Sequence, residues 1–353
     1  MDASGMQSVT RRKSLKAIAT TGGVLGLSGC SALVPGRGSE YPSESITINI
    51  PFGKGGQTDL ETRLIADFLQ DELDASISVT NNPEAGGAVN YQQFSSADPD
   101  GYTLSAFWYP VIATHPQVLD SFDYDPDAFT LLGQFSQVPL NIMTGYDSDI
   151  ERLPDIVDLA EEQAVTMGFT GPVAPVAIPM LQLQDSVDLS IDPVFVGGGG
   201  ALATEAQAGR VDVAANTFDT TANNFAAERT KPVSILSEPN EELISYYEET
   251  QGISISEDMF VTEYPDLVEN PPLMTSMKGL MGPPGLPDDI QEVLVEALRS
   301  IMSEDTGWYE EMRNIGSYPT PTFGEELEQK WDDYKSQFDP YIPTLQEFAA
   351  EHR

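Results

Sequence analysis

Apolar and polar residues alternate from Ile46, where "SITINIPF" runs up to Gly53 and predicts a half-buried strand. The following "TDLETRLIADFLQDEL" places Leu60, Leu64 and Phe68 four apart, the spacing of one helix face. "SISVTN" predicts a second strand, "PEAGGAVNYQQFSSA" a glycine loop entering a short helix, and "GYTLSAFWY" a third strand. The second half repeats the order. Strand "AVTMGF" precedes "TGPVAP", strand "DPVFV" precedes "GGGG", helix "ALATEAQAG" stops at Gly209, and strand "RVDVAANTF" follows. Helices then follow Pro287 and occupy "GEELEQKWDDYKSQF". This recurrence predicts an α/β fold with a largely parallel sheet. With "QVPLNIMTGY" between two similar halves, it predicts a two-lobed clamshell whose strands cross at a hinge. Residues 45–140 and 260–353 form one expected lobe and 141–259 the other. "EPNEELISYYEETQGISISEDMF" reads as a surface excursion.

The N-terminal pattern differs. "TRRKSLK" carries paired arginines ahead of a short apolar run from Ala17 to Leu27, followed by "LSGC". The run falls far short of the ~20 residues of a membrane-spanning helix, so residues 1–29 read as an export signal. The paired arginines look like a twin-arginine signal. "LSGC" resembles a lipobox, which makes Cys30, the single cysteine, the lipidation site. Residues 30–44, rich in Pro, Gly and Ser, read as a flexible tether. The expected location is the outer face of the cytoplasmic membrane.

Composition narrows the class further. The chain has 353 residues, 40% of them hydrophobic, enough for roughly two domains of ~150 residues. Its formal charge is -39, which excludes nucleic acid as a partner because phosphate neutralisation needs clustered Lys and Arg. The signal carries Arg11, Arg12, Lys13 and Lys16 against Asp2, so its removal deepens the acidity. Carboxylates spread along the whole chain favour a solvating shell for concentrated salt over an acidic interaction surface.

Two glycine loops carry the candidate chemistry. "GKGGQTD" lacks the Lys-Ser/Thr pair of a phosphate-binding P-loop and the third glycine of a dinucleotide fingerprint. Thr58 and Glu61 are spaced as a capping box. The same residues allow the amides of Gly55 to Asp59, at the positive end of a helix, to cradle an anion. Spacing alone does not choose between a capped turn and a cradle. "EAGGAVN" repeats the device one unit later, at the sheet edge where open α/β folds hold ligands.

"IPFGKGGQTDLETRLIA", "NNPEAGGAVN", "DPDGYTL" and "YDPDAF", in this order, resemble the substrate-binding receptors of tripartite tricarboxylate transporters, the Bug-type proteins. The likeness continues through "PVFVGGGGALATEAQAGRVDV" to "GLMGPPGLPDDI", and covers the chain from Ile46 to about Phe338. It implies a class II-like periplasmic-binding-protein fold that closes on a small carboxylated solute. It also implies that Gly55, Gly56, Thr58 and Asp59, with Ala85, Gly86 and Gly87, bind one carboxylate through backbone amides and ordered water. The second lobe would supply Gly197 and the loop at Thr170 and Gly171. "GPVAP" departs from the family: Ala174 offers no hydroxyl, and prolines at 172, 175 and 179 make that helix start irregular.

Other residues have plainer readings. His115 and His352, the only histidines, assemble no nucleophile-base or metal-ligand pattern, and His115 reads as a solvated loop residue. Trp108 and Tyr109 close a strand as core residues or as a wall of the ligand site. Asp219 meets either a ligand polar group or the other lobe. The expectation is therefore a monomeric, lipid-anchored receptor without catalytic residues, metal or cofactor. It would pass a small organic carboxylate to polytopic membrane transporter subunits. An exported enzyme on anionic substrates and a ligand-presenting sensor are the rivals.

Overall fold

The computed structural model describes residues 41–174, 176–187 and 189–352. The segment read as an export signal, Cys30, and the segment read as a tether up to residue 40 lie outside the described residues. The first half runs β1 (Ile46–Ile50), α1 (Gln57–Leu73), β2 (Ile77–Asn81), α2 (Ala88–Phe94), β3 (Thr103–Tyr109) and α3 (Val111–Val118). The long β4 (Thr130–Gly145) follows, then α4 (Leu153–Glu162), β5 (Val165–Phe169), α5 (Ala177–Val187), β6 (Ile191–Phe195) and α6 (Gly199–Gln207). Next come β7 (Val213–Thr217), α7 (Phe218–Ala226), β8 (Thr230–Ile235) and α8 (Glu241–Gln251). The chain ends with β9 (Thr275–Gly282), α9 (Asp288–Ile301), α10 (Trp308–Asn314), β10 (Pro319–Thr322), α11 (Glu325–Phe338) and α12 (Ile342–Glu351).

Strand order is β2-β1-β3-β9-β4-β7-β5-β6, with β8 and β10 also paired to β4. β1 lies parallel between β2 and β3, and β5 lies parallel between β6 and β7. β4 and β9 join the two ladders through antiparallel pairs, so the sheet is mixed rather than largely parallel as the strand–loop–helix recurrence predicts. The first part of β4, Thr130 to Pro139, pairs antiparallel with β9, and Leu140 onward pairs with β7 and β8. A strand flanked on both edges and covered on both faces should read as a nearly continuous apolar run. β4 does so from Val138 to Met143, with only Asn141 interrupting.

Packing follows the helix periods. On α9, Leu294, Ala297, Leu298 and Ile301 recur on one face and are buried against α1 and β4. α1 departs from the sequence reading. Leu60, Leu64 and Phe68 are half-buried, while the buried face carries Ile65, Ala66 and Leu69 with Thr58, Glu61 and Thr62. Counting apolar positions misplaces this face by one residue because half of it is polar and satisfied internally.

The stretch read as a surface excursion is also corrected. α8 buries Leu243, Tyr246 and Tyr247, and Ile253, Ile255 and Phe260 join them in a core with Phe218 and Phe225. The acidic residues between them face outward and mask that apolar stripe in the sequence. At the chain's end, Phe348 of α12 packs edge-on against Phe169 and Phe195, the last residues of β5 and β6.

Candidate functional site

The first glycine loop leaves the C-terminal end of β1. Gly53, Lys54, Gly55 and Gly56 are all exposed, and Gly55 has φ +80, a left-handed conformation glycine adopts without strain. Gly56 is the N-cap of α1, so the first-turn amides that follow it have no intrahelical partner. The Thr58–Glu61 capping box does not form: α1 has no side-chain bond at its cap, and Glu61 is used elsewhere. Asp59 takes the closing role instead, its Oδ2 accepting from the Gly55 N–H at 2.9 Å. Its Oδ1 accepts from Arg63 Nε at 2.9 Å and Asn81 Nδ2 at 2.8 Å. Burial would raise this carboxyl, but the bonds from Arg63, Gly55 and Asn81 outweigh it and hold it below its ordinary value. The Asp59 side chain is thus the loop's scaffold. Because it occupies the Gly55 amide, and the Gly53 carbonyl takes that of Gly56, these two glycines are corrected from amide donors to the shape of the turn. What the loop presents is the backbone N–H groups that follow them.

The second loop follows β2. Ala85, Gly86 and Gly87 have φ of 51°, 66° and 101°, three successive left-handed residues that turn the chain into α2. Turns of this kind gather amide N–H groups on one side. The two loops touch: a methyl on Gly87 would come within 2.8 Å of the Pro51 carbonyl oxygen. Behind Gly86 stands His115, whose Cε1 lies 3.2 Å from where a side chain would begin. His115 is corrected from a solvated loop residue to a buried residue of α3, 3% exposed, because the helix folds back under the loop. Burial pushes its imidazole down to about 4, so it is neutral at neutral pH, and its Nδ1 has no partner among the described residues. Sequence reasoning missed this contact, since nothing in "ATHPQV" marks a residue that packs against Gly86.

Trp108 flanks the same loops, its indole edge-on to Phe52 with ring centroids 5.6 Å apart. Tyr109 points the other way, into an aromatic core with Trp331, Tyr334 and Phe338. Thus Trp108 stays beside the first loop and Tyr109 is core.

In the second ladder, Phe169 and Phe195 are paired in register, and Val196 N–H donates to the Phe169 carbonyl at 2.8 Å. The loops after them, with Thr170, Gly171 and Gly197, therefore begin side by side at the ends of parallel strands. Thr170 and Gly197 are exposed, and α5 starts at Ala177, with Pro179 in its first turn. One residue missed from sequence belongs here. Asn216, at the end of β7 and 7% exposed, leaves Nδ2 without a partner among the described residues. A methyl on Gly199, at the start of α6, would meet that atom at 2.6 Å. A lone Asn inside "VAANT" is the signal that marks it.

Asp219 does not join these loops. It is fully buried at the start of α7 and bonds Lys278 of β9. Glu61 Oε1 lies 3.6 Å from the same Lys278 Nζ and accepts from Ser136 Oγ at 3.0 Å and from Ser317 Oγ. Of the two readings of Asp219, the geometry gives a bond between segments rather than a ligand contact. A concavity of about 550 Å³ lined by Glu242, Tyr246, Arg313 and Tyr318 lies apart from every glycine loop. Lys54, beside the exposed amides, forms no ion pair among the described residues, and no metal-binding cluster occurs among them.

A family model for the "Tripartite tricarboxylate transporter family receptor" matches residues 62–244. A UPF0065 protein from the TAR-I ttuE-ttuC' intergenic region of Agrobacterium vitis is 26% identical over 284 residues, covering 79% of this chain and 77% of its own length. Among solved structures, MatC from Rhodopseudomonas palustris with bound malate superposes with TM-score 0.68 at 18% identity. The likeness covers 88% of this chain and 100% of MatC. Another R. palustris protein, with adipate, gives TM-score 0.72 at 18% identity, over 88% and 99% of the two chains. These structural likenesses show the fold, the two-lobed α/β type of periplasmic binding proteins.

Proposed function

Since this chain belongs to the receptor family of tripartite tricarboxylate transporters, we propose that it captures a small organic carboxylate outside the cytoplasm for polytopic transporter subunits. The observation that carries this reading is the pair of glycine loops at parallel strand ends, joined where Gly87 packs on Pro51. One carboxylate is held by the amides of Thr58 and Asp59 on one loop and of Ala85, Gly86 and Gly87 on the other, while the Gly55 and Gly56 amides shape the first loop by bonding the Asp59 carboxylate and the Gly53 carbonyl. Trp108 walls that end. Thr170, Gly171 and Gly197, with Asn216, meet the far end of the solute when residues 141–259 close on the rest as a lobe. Malate and adipate on two proteins of the same fold favour a dicarboxylate.

Binding occurs although the chain carries a formal charge of -39. Charge-assisted amide bonds act at about 2.8 Å, inside the screening length, whereas distant surface carboxylates are screened. Titration calorimetry with malate, adipate and citrate tests the mechanism. Lys54→Ala should leave affinity within about twofold, a surface-charge effect. Gly56→Val should abolish binding by filling the cradle and restricting the turn, without unfolding the protein, since Gly56 is exposed and a side chain there meets only the Gly53 carbonyl, at 3.4 Å. Loss of binding in Lys54→Ala with normal binding in Gly56→Val would replace the amide cradle by a lysine–carboxylate pair.

Export through the paired arginines and lipidation of Cys30 complete the reading. No described helix is long and apolar enough to cross a membrane. Cys30→Ser should move the protein out of the membrane fraction, and unchanged fractionation would remove the lipid anchor from the proposal.

A further inference from the structure

An amide cradle has no need of a buried salt bridge, yet one runs directly beneath the first glycine loop. Gln57, the first residue of α1, donates through Nε2 to the Ile315 carbonyl at 3.0 Å and to Ser317 Oγ. Ser317 Oγ donates in turn to Glu61 Oε1. Glu61 faces Lys278 of β9, and Lys278 holds Asp219 of α7. A continuous chain of side chains therefore links the loop of one ladder to the helix after β7 of the other.

We propose that Glu61, Lys278 and Asp219 are positioning residues that carry one exchangeable proton, and that losing it loosens the first glycine loop. The consequence for ligand affinity rests on the carboxylate-capture reading above; the link between proton and loop does not.

Two carboxylates share one ammonium here. Asp219 holds Lys278 in direct contact, and Glu61 stands 3.6 Å away. Glu61 and Asp219 are 0% exposed and Lys278 is 3% exposed, so water screens none of them. Both serine hydroxyls address Glu61 Oε1, while Oε2 has no partner among the described residues. A proton on Glu61 makes the cluster neutral. Without it, one buried negative charge is uncompensated, which is strongly unfavourable.

Burial, reinforced by Asp219 and opposed by Lys278 and the two serines, raises the Glu61 carboxyl to about 7. The other ionisable groups facing it are Tyr246 and Tyr247 of α8, whose phenols burial keeps neutral. Because the folded value lies above the ordinary 4.5, the stability gained from the protonated form is complete below 4.5 and is lost as pH rises through about 7. Once ionised, Glu61 competes with Asp219 for Lys278. The ammonium reaches both carboxylates but neutralises only one charge, and it already sits closer to Asp219, so α1 shifts or water enters to meet the ionised Glu61, and the Gln57–Ser317 tie gives way.

Amide hydrogen–deuterium exchange on the ligand-free full chain tests this, corrected for the intrinsic pH dependence of exchange. Peptides covering residues 53–60 should lose up to about tenfold protection between about pH 6 and about pH 8, while peptides of α9 hold theirs. Glu61→Gln and Asp219→Asn should both remove that pH response, the first by fixing the neutral state and the second by freeing Lys278 for Glu61. Wild-type loop protection that is equal at both pH values overturns the proposal, as does a Glu61→Gln protein that keeps the wild-type response. Should the variants not fold, infrared difference spectra of the wild type decide: a buried protonated carboxyl must disappear near neutrality, and its absence overturns the idea. None of these measurements needs a ligand, so their failure leaves carboxylate capture standing, and failure of adipate to bind leaves them standing.

Discussion

Gly87 is where the two loops are locked together, and its backbone leaves no room for a side chain. A methyl there would meet the Pro51 carbonyl oxygen at 2.8 Å and its Cβ at 2.9 Å, at a φ of +101. Gly56, by contrast, has an ordinary φ of -75 and open surroundings. Gly87→Ala should therefore destabilise the protein by about 1–3 kcal/mol through strain and overpacking, and Gly56→Ala by no more than about 1 kcal/mol. Urea unfolding of the two variants measures the difference; equal midpoints would show that the loops are not locked at Gly87. Both are single letters in double-glycine runs, and sequence alone treats them alike. The same limit hid His115 and Asn216, whose meaning lies in which glycine each one touches.

At the scale of elements, α1 is held at its N-terminus from two sides. Asp59 ties the helix outward to Gly55, Asn81 and its own Arg63. Gln57 and Glu61 tie it inward to Ser317 and Lys278. The sequence predicted a Thr58–Glu61 capping box at this point, and the spacing was sound, but the buried ammonium claims Glu61. Asp59→Ala removes the bond to the Gly55 amide and should cost about 1–2 kcal/mol, the range for losing a helix cap. Chemical denaturation should show the loss, and amide exchange should show it centred on residues 53–56. An effect spread evenly over the chain would mean that Asp59 serves general packing rather than the loop.

For the whole molecule, 56 acidic residues stand against 17 basic ones, so most carboxylates have no opposite charge to meet. The described ion pairs beyond the buried cluster are mostly at the surface, such as Arg152–Asp258 and Lys335–Asp127, and contribute little. Self-repulsion therefore acts against the compact state in dilute buffer, and at ~1 M salt the screening length falls to ~3 Å. We expect the thermal midpoint to rise steadily between dilute buffer and molar salt. A midpoint independent of salt would remove the reading of this surface as an adaptation to concentrated salt.

The sequence by itself determined the order of strands, glycine loops and helices, because periods of two and of three to four residues are written in local chemistry. It also determined the family, since "GKGGQTD", "EAGGAVN" and "DPDGYTL" keep their order and character from Ile46 onward. The edge of the sheet that carries the loops followed from the same pattern, as glycine clusters stand at the ends of parallel strands. Only the tertiary structure decided what lies behind those loops. Polar residues on an apolar helix face, the charges at 61, 219 and 278, and a histidine before a proline all look solvated until the chain folds over them. Their partners are as many as 260 residues away, as for Ser317 and Gln57. Whether a polar side chain is solvated or buried depends on which distant segment covers it, and no local period records that.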